Sequence, residues 1–197
     1  SLSDNSIYSI YKDYEGGIWI GTMFGGVNYL PNRILTFAKY VPGSDPYSLN
    51  TKRIRGLAED NNGCIWIGTE DNGVNVLDPR TGKVHQIYDN VPGRLITLSV
   101  KHYENHIYVG LFKQGMNDIS IPGEHLKYVS DKDLGIEEGS VYSFLKDSKG
   151  RTWIGPGWGL YVSQPKERKF HRVEEVGYNW VFDIMEARDG TIWLATM

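Results

Sequence analysis

The sequence predicts an all-β fold, because one short phrase recurs in it five times and each copy has the composition of a β-strand. In its clearest form the phrase reads Ile-Trp-Ile-Gly-Thr. Successive aromatic anchors lie between 40 and 47 residues apart, a period typical of solenoids, propellers and other repeat arrays. The copies occupy residues 18–22, 65–69, 107–111, 152–156 and 192–196, with their anchors at Trp19, Trp66, Tyr108, Trp153 and Trp193.

An alternating apolar segment precedes each copy and has the length and the β-branched and aromatic content of a strand. A short polar turn separates the two segments, as in the Asp-Asn-Asn-Gly sequence of residues 60–63. An Asp side chain bonds the backbone two residues on, and Gly adopts the positive φ that closes such a turn. The third copy has Asn105 in the glycine position, and Asn also tolerates a left-handed backbone. Each repeat therefore begins with a predicted β-hairpin.

A second glycine follows each of the first four copies and precedes a third predicted strand, as at Gly73. A less regular fourth strand follows, for example at residues 36–40, 84–88 and 169–173. Four antiparallel strands in a repeat of this length, without helical periodicity, match a β-propeller blade. We predict a partial propeller over residues 1–197, with four complete blades at about 6–40, 53–89, 94–129 and 140–173 and half of a fifth at 178–197.

The predicted half blade leaves its anchor strand unpaired on one side. An open strand edge is a template for pairing with another chain. Two interpretations stay open: these blades are a fragment of a longer propeller, or a partner completes them. A homodimer, or self-association through the open propeller edges, is one form of the second interpretation.

Composition narrows the function classes. The 197 residues carry 21 basic and 24 acidic side chains and a formal net charge of -3, with no Lys/Arg run, so nucleic-acid binding is not expected. No apolar stretch reaches the length of a membrane span, so no membrane contact by this segment is expected. The one cysteine, Cys64, cannot form an internal disulfide and leaves the redox compartment open.

The repeat resembles a known family. The pattern Asp-x-x-Gly-x-Ile-Trp-Ile-Gly-Thr followed by Gly-Val-Asn, clearest from Asp60 to Asn75, is similar to the two-component regulator propeller repeat. Departures from that pattern include Tyr108 in place of Trp, Pro156 in place of Thr, Ala187 in place of Asp and Ala195 in place of Gly. In that family the repeats form seven-bladed propellers, usually two in tandem, in the periplasmic sensors of hybrid two-component system histidine kinases.

The resemblance implies a function for the longer protein. It implies that this segment is part of a seven-bladed propeller, in the periplasmic sensor part of an inner-membrane protein. The full-length protein is then a sensor histidine kinase that senses a glycan or oligosaccharide and relays the signal through a phosphorelay to transcription. No kinase, receiver or DNA-binding motif occurs in this segment, so we expect no enzyme activity from it.

The candidate ligand-binding residues lie in loops that the blade topology brings to one face. In a four-stranded antiparallel blade, the turn after the second strand and the crossover to the next blade share that face. Carbohydrate recognition uses aromatic platforms together with planar polar groups. The alternative interpretation is blade packing for the aromatics and ordinary solvated surface for the charges. The candidates are the aromatic residues Phe24, Trp158, Tyr178 and Trp180 and the polar residues Arg53, Asp71, Lys113 and Asn179.

Some His, Asp and Cys residues are of types that bind metals or act as nucleophiles, but the neighbouring sequence does not support either role. His102 and His106 have the spacing of a zinc pair only if they lie on a helix, and here they flank a predicted turn. The Asp60 turn lacks the remaining ligands of a calcium loop, and Cys64 has no paired base. We therefore predict no catalytic residue, metal or cofactor, and we expect the tryptophan anchors to be core residues.

Two other function classes stay open at this point. One is a propeller enzyme acting on polysaccharide, for example as a lyase, which requires a His/Tyr/Arg or carboxylate cluster on the central face. The other is a protein-interaction propeller, which a pull-down and the absence of any response to glycans would indicate.

Overall fold

The computed structural model describes residues 2–32, 39–87, 96–121 and 125–197. The chain divides into two compact units, Ser1–Lys39 and Tyr40–Met197. Each sheet is antiparallel, and we number the sheets as blades 1 to 5 in chain order. The predicted strand at residues 36–40 falls mainly outside the described residues.

Blade 1 forms the first unit. Its strands are β1 (Ile7–Lys12), β2 (Ile18–Thr22) and β3 (Val27–Leu30), hydrogen-bonded in that order. A tight turn joins β1 to β2: the Asp13 backbone N–H donates to the Gly17 carbonyl, and Gly16 has a φ of +85°. The glycine at this point of the turn permits the positive φ, as the sequence predicts.

The second unit holds the other four sheets. Blades 2, 3 and 4 have four strands each and blade 5 has two, and consecutive strands within each blade are neighbours. This is the four-stranded repeat predicted from the sequence. Blade 2 consists of β4 (Ile54–Glu59), β5 (Ile65–Thr69), β6 (Val74–Asp78) and β7 (Lys83–Gln86), and blade 3 consists of β8 (Thr97–Tyr103), β9 (His106–Leu111), β10 (Met116–Ser120) and β11 (His125–Val129). Blade 4 consists of β12 (Ser143–Lys146), β13 (Thr152–Gly155), β14 (Tyr161–Ser163) and β15 (His171–Arg172). Blade 5 consists of β16 (Val181–Glu186) and β17 (Ile192–Thr196).

An irregularity recurs at the start of the first strand of a blade. The pairing register shifts by one residue between Ile54 and Gly56 in β4, and equivalent shifts occur in β1, β8 and β16. Each shift leaves one extra residue outside the ladder, and such bulges redirect side chains. The extra residues are Tyr8, Arg55, Leu98 and Phe182.

Core residues of the second unit lie between neighbouring sheets. Trp66 of blade 2 clusters with Val100 and Val109 of blade 3, and Met116 of blade 3 clusters with Val141 and Ile154 of blade 4. The first strands of these neighbouring blades contact one another. Burial of one such large side chain contributes about 1.5–3 kcal/mol. Blades 3 and 4 each have a neighbouring sheet on both faces, and their anchor strands are accordingly apolar on both faces.

Two anchors depart from the predicted core. Trp66 and Trp153 are 2% and 8% exposed, but Trp19 and Trp193 are 42% and 61% exposed, so the core expectation is wrong for the latter pair. In the described residues no third strand pairs with β17 and no sheet packs on the Trp193 face. Trp19 instead stacks on Tyr29 of its own blade, with ring centroids 4.3 Å apart.

The crossovers contain single helical turns. The helix α1 (Asp131–Leu134) begins at Ser130, whose hydroxyl accepts from the Asp133 backbone N–H, and it ends at Gly135 with a φ of +75°. A 3-10 turn spans Glu174–Val176. These elements are too short to produce a helical period in the sequence. Within the described ranges, no helix has the length and apolar character needed to span a membrane.

Candidate functional site

In the second unit, the turns after the second strands and the crossovers meet at one end of the blades, which we call the loop face. Within a blade, the Glu70 N–H donates to the Arg53 carbonyl at 3.0 Å. Between blades, the Gly115 N–H donates to the Gly139 carbonyl at 2.6 Å. The Gly159 N–H likewise donates to the Asn179 carbonyl at 3.0 Å. The turn of one blade is therefore fixed to the crossover that enters the next.

Glu138 joins three loop segments in this network. Its Oε2 accepts from the backbone N–H groups of Gly157 and Ser140, both at 3.1 Å, and its Oε1 accepts from the Ser140 hydroxyl at 2.6 Å. The same Ser140 oxygen accepts from the Lys113 N–H at 3.1 Å. A single carboxylate thus holds the turns of blades 3 and 4 against the crossover between them, which orders the backbone around the site.

An aromatic cluster stands beside this network. The ring of Trp180 meets Tyr142 edge to face at a centroid distance of 5.4 Å and stacks on Phe182 at 5.7 Å. Both geometries are favourable for aromatic pairs. Trp180 and Phe182 remain 39% and 48% exposed, so the cluster offers apolar surface to a ligand.

Polar groups also lie on the loop face. The Arg55 guanidinium pairs with Glu70 through an Nη2–Oε1 distance of 3.2 Å, and both side chains are partly exposed. Burial, followed by the negative charge of Glu138, raises the pKa of the Tyr142 phenol, and these effects outweigh those of the Ser140 hydroxyl and of Arg55. The phenol is therefore protonated at neutral pH and available as a hydrogen-bond donor.

Five residues of this arrangement were not predicted as site residues: Arg55, Glu70, Glu138, Tyr142 and Phe182. Arg55, Tyr142 and Phe182 occupy the same position in blades 2, 4 and 5, one residue before the partner of Gly68, Gly155 or Ala195 in the second strand. Blade 3 has Leu98 at this position. Alignment of the repeats by their anchors would have shown this position. Glu138 has no such signal, because the crossovers differ from one repeat to the next.

Several predicted residues lie on the loop face with exposed side chains. Trp158 is 59% exposed and follows the Gly157 that donates to Glu138. Tyr178 is exposed, and the Arg172 guanidinium lies 3.5 Å from its ring centroid, which is a cation–π contact. The Asn179 side-chain amide donates to the Val176 carbonyl at 2.9 Å, so it already forms a hydrogen bond within the crossover.

The remaining predicted residues are more dispersed. The Lys113 backbone has a φ of +56°, and its ammonium lies 5.2 Å from the Phe112 ring centroid. Arg53 is exposed, while the Oδ1 atom of Asp71 is buried and has no hydrogen-bond partner among the described residues. Phe24 belongs to the first unit, where it is 84% exposed and its N–H donates to Asp4 at 3.0 Å.

The residues considered for other chemistry have structural contacts of their own. His102 Nε2 lies 2.7 Å from the Glu104 carbonyl oxygen, and His106 Nδ1 lies 2.6 Å from Asp118 Oδ1. Burial, followed by the nearby Asp60 and Asp78 carboxylates, raises the pKa of the Cys64 thiol and disfavours its thiolate. In the part of the chain that the structure describes, no group of three or more His, Cys, Asp or Glu side chains is placed to hold a metal.

Comparison with known families agrees with the repeat. Residues 1–24, 48–71 and 176–197 match the family model described as the two component regulator propeller, which confirms the resemblance found in the sequence. A comparison of the sequence with curated proteins gives no match.

Solved structures share the fold. The extracellular domain of a B. thetaiotaomicron protein described as the hybrid two component system BT3049 superposes with a TM-score of 0.66 at 24% identity, over 100% of this chain and 26% of that one. The extracellular domain of BT4673, from the same organism and described in the same terms, gives 0.62 at 16% identity, over 97% and 26%. The computationally designed protein Ika8 gives 0.54 at 17% identity, over 97% and 58%. This chain thus spans about a quarter of the two bacterial domains, and the likeness establishes the propeller fold.

Proposed function

Because residues 1–24, 48–71 and 176–197 carry the two component regulator propeller repeat, we propose that this chain is an extracytoplasmic sensor segment of a hybrid two-component system histidine kinase. It takes part in sensing a glycan or oligosaccharide in the periplasm. The rest of an inner-membrane protein passes the signal to a phosphorelay that controls transcription. The similar extracellular domains from B. thetaiotaomicron support this proposal.

The loop face is the proposed ligand site. The observation that carries this assignment is the grouping of exposed aromatic rings with hydrogen-bonding groups on loops that are tied to one another. Trp158 and Trp180 flank the Gly159–Asn179 hydrogen bond, and Glu138 holds the adjoining turn. Loops that are already ordered lose less conformational entropy when a ligand binds, so binding is less costly.

The chemistry of the loop face suits a sugar. One side of a sugar ring is a flat C–H surface that packs on exposed aromatic rings, and its hydroxyl groups require donors and acceptors at the rim. Trp158, Trp180 and Phe182 provide the aromatic surface. The Tyr142 phenol and the Arg55 guanidinium provide donors, while Glu70 provides an acceptor.

A lyase-like enzyme fits these residues less well. Such a reaction requires a group that removes a proton from the sugar ring, and a phenol does this best when its pKa is lowered. The pKa of Tyr142 is raised instead, by burial and by the charge of Glu138. Recognition rather than turnover is therefore the function that this geometry favours.

Thermal unfolding with a panel of neutral and uronate-containing oligosaccharides tests the proposal. We expect one class to raise the Tm by about 3 °C or more near a hundredfold excess over its Kd, because ligand bound only to the folded state stabilises it. Trp158→Ala and Arg55→Gln should each weaken that binding at least tenfold, as expected for loss of one aromatic or charged contact.

Tyr14→Ala is the matched control for the aromatic substitution. Tyr14 is 96% exposed and lies in the turn between the first two strands of blade 1, so this variant should keep the affinity of the original chain. Chromatography of the same mixtures detects turnover. Release of shortened or unsaturated products, or a panel in which no sugar shifts the Tm, would argue against the proposed function.

A further inference from the structure

A second cavity lies away from the loop face, in a cleft between blades 3 and 4. Its volume is about 320 Å³, which falls at the lower end of the range for small-molecule sites. Blade 3 contributes Tyr108 and Met116, and blade 4 contributes Phe144, Thr152, Lys166 and Arg168. We call this cavity the interblade cleft. It lies near the turn that joins β12 to β13, since Gly150 also lines it.

Aromatic and apolar groups form one side of the interblade cleft. Tyr108 stacks on Phe144 with ring centroids 4.7 Å apart and an interplanar angle of 17°. Burial, followed by the charges of Asp118 and Glu104, raises the pKa of Tyr108 to about 12, so its hydroxyl is protonated at neutral pH. Within the described residues that hydroxyl has no hydrogen-bond partner, and it can donate to a ligand.

Three of the charged groups around the cleft are already paired. Asp118 contacts His106, and Lys146 lies 3.3 Å from Glu104. Glu167 accepts from the Gln164 backbone N–H at 3.1 Å and lies 3.6 Å from His171. The Lys146–Glu104 pair thus offsets one charge of each sign, and hydrogen bonds already engage the Asp118 and Glu167 carboxylates.

Two cationic side chains also line the cleft. Lys166 and Arg168 are exposed, and neither forms an ion pair with any residue that the structure describes. Lys166 also has a φ of +72°, which is unfavourable for a residue with a side chain and is normally taken by glycine. A strained backbone at a residue that lines a cavity is a recognised mark of a binding site.

We propose that the interblade cleft binds a ring-bearing organic anion of about monosaccharide size, with its carboxylate or sulfate group on Lys166 and Arg168 and its ring against Tyr108, which the buried Phe144 ring supports from behind. Arginine and lysine form charge-assisted hydrogen bonds with such anions, and Arg168 can do so with two parallel N–H groups. Thr152 and the Tyr108 hydroxyl then form hydrogen bonds with the remaining polar groups of the ligand. This site is separate from the loop face and does not depend on the proposed function.

Calorimetric titration of the purified chain with four probes tests the proposal. D-Glucuronate and benzoate both carry a carboxylate on a six-membered ring, whereas D-glucose lacks the charge and acetate lacks the ring. We expect at least one ring anion to bind at least tenfold more tightly than D-glucose and acetate. Preference for D-glucuronate identifies a sugar acid, and preference for benzoate identifies an aromatic acid.

The variant Lys166→Gly, Arg168→Gln should weaken ring-anion binding at least tenfold. Glycine at position 166 relieves the positive φ, so this change removes a charge without disturbing the backbone. Arg168→Lys should restore part of the affinity lost with Arg168→Gln. Arg188→Gln removes an exposed arginine in the blade 5 turn and is the matched control, and Trp158→Ala tests independence from the loop face; both should bind as the original chain does.

Circular dichroism melting of each variant separates loss of binding from loss of folding. The proposal would be overturned if neither D-glucuronate nor benzoate bound more tightly than D-glucose and acetate, or if the double variant kept full affinity for the ring anion that binds. Reduced binding in Trp158→Ala would place the anion on the loop face instead.

Discussion

The carboxylate of Asp147 accepts a hydrogen bond from the indole N–H of Trp153 at 2.9 Å, across the turn that joins the first two strands of blade 4. Its other oxygen accepts from the backbone N–H groups of Lys149 and Arg151. The same relationship joins Asp60 to Trp66 at 2.9 Å and Asp13 to Trp19 at 2.8 Å. One side chain therefore closes the hairpin and also fixes the orientation of the anchor indole.

Asp147→Ala is expected to lower the free energy of unfolding by about 3 kcal/mol, because it leaves a buried indole N–H and two backbone N–H groups without their acceptor. Trp153→Phe removes the donor, and a double-mutant cycle should show a coupling of about 1 kcal/mol between the two positions. Urea unfolding measures both values. Asp189→Ala, in the exposed turn of blade 5, should cost less than about 1 kcal/mol. Additive effects at positions 147 and 153 would contradict the assigned bond.

Stability should fall in acid through this same carboxylate. Burial acts to raise the pKa of Asp147, but the hydrogen bonds from Trp153 and Arg151 outweigh it, so the pKa is lowered from the ordinary value of 3.8. A lowered folded-state pKa contributes stability that is complete above the unfolded-state value and is lost as the pH falls through the folded-state value. The Tm should therefore fall below about pH 4. Asp147→Asn should flatten this part of the profile, and an unchanged profile would contradict the prediction.

The sequence predicted the repeat unit because its determinants are local. Glycine at positive φ and Asp in the turn depend on a few neighbouring residues, and Gly63 and Asp60 adopt those roles in the structure. The Asp60–Trp66 hydrogen bond was not predicted, although both residues recur at a constant spacing of six. The role of Asp in the turn was already a sufficient explanation for its recurrence.

The loop face depends on contacts between repeats, and these are harder to infer. Glu138 acts through Gly157 of the next blade, and the connection that carries it, residues 130–142, is longer than the connection at residues 173–180. The exposure of Trp193 depends on which sheet packs against it rather than on its own repeat. Local pattern therefore defines the blades, whereas the site arises from their packing.

Blade 5 lacks the turn carboxylate, and restoring it should stabilise the chain. Ala187 occupies the position of Asp147, and its turn has the same backbone bonds, from the Ala187 N–H to Thr191 and from the Gly190 N–H to Ala187. Ala187→Asp places an acceptor within reach of the Trp193 indole. Because that indole is exposed, the expected gain is only about 0.5–1 kcal/mol. A parallel Ala187→Asn variant should gain less, since its amide is uncharged. A fall in the urea midpoint of the Asp variant would show that this turn cannot accept the contact.

In blades 3 and 4, a serine of the first strand forms a hydrogen bond to the next blade, and its loss should reduce stability. The Ser99 hydroxyl donates to the Val141 carbonyl at 3.0 Å, and the Ser143 hydroxyl donates to the Val181 carbonyl at 3.1 Å, so each serine bonds the next blade. Ser143→Ala should cost about 1–2 kcal/mol, because it leaves a buried carbonyl unpaired.

Gly56 occupies the serine position in blade 2, yet Gly56→Ser should not gain the corresponding bond. A Cβ atom there would lie 2.9 Å from the Val100 backbone nitrogen, closer than side chains are found. The blades would have to separate, at a cost of about 1–3 kcal/mol. Gly43→Ser is the matched control, because its Cβ would be no closer than 3.7 Å to any other atom, and it should change stability by less than about 0.5 kcal/mol. Urea unfolding of the three variants checks this order, and a stabilising Gly56→Ser would mean that blades 2 and 3 can adopt the spacing seen between blades 3 and 4.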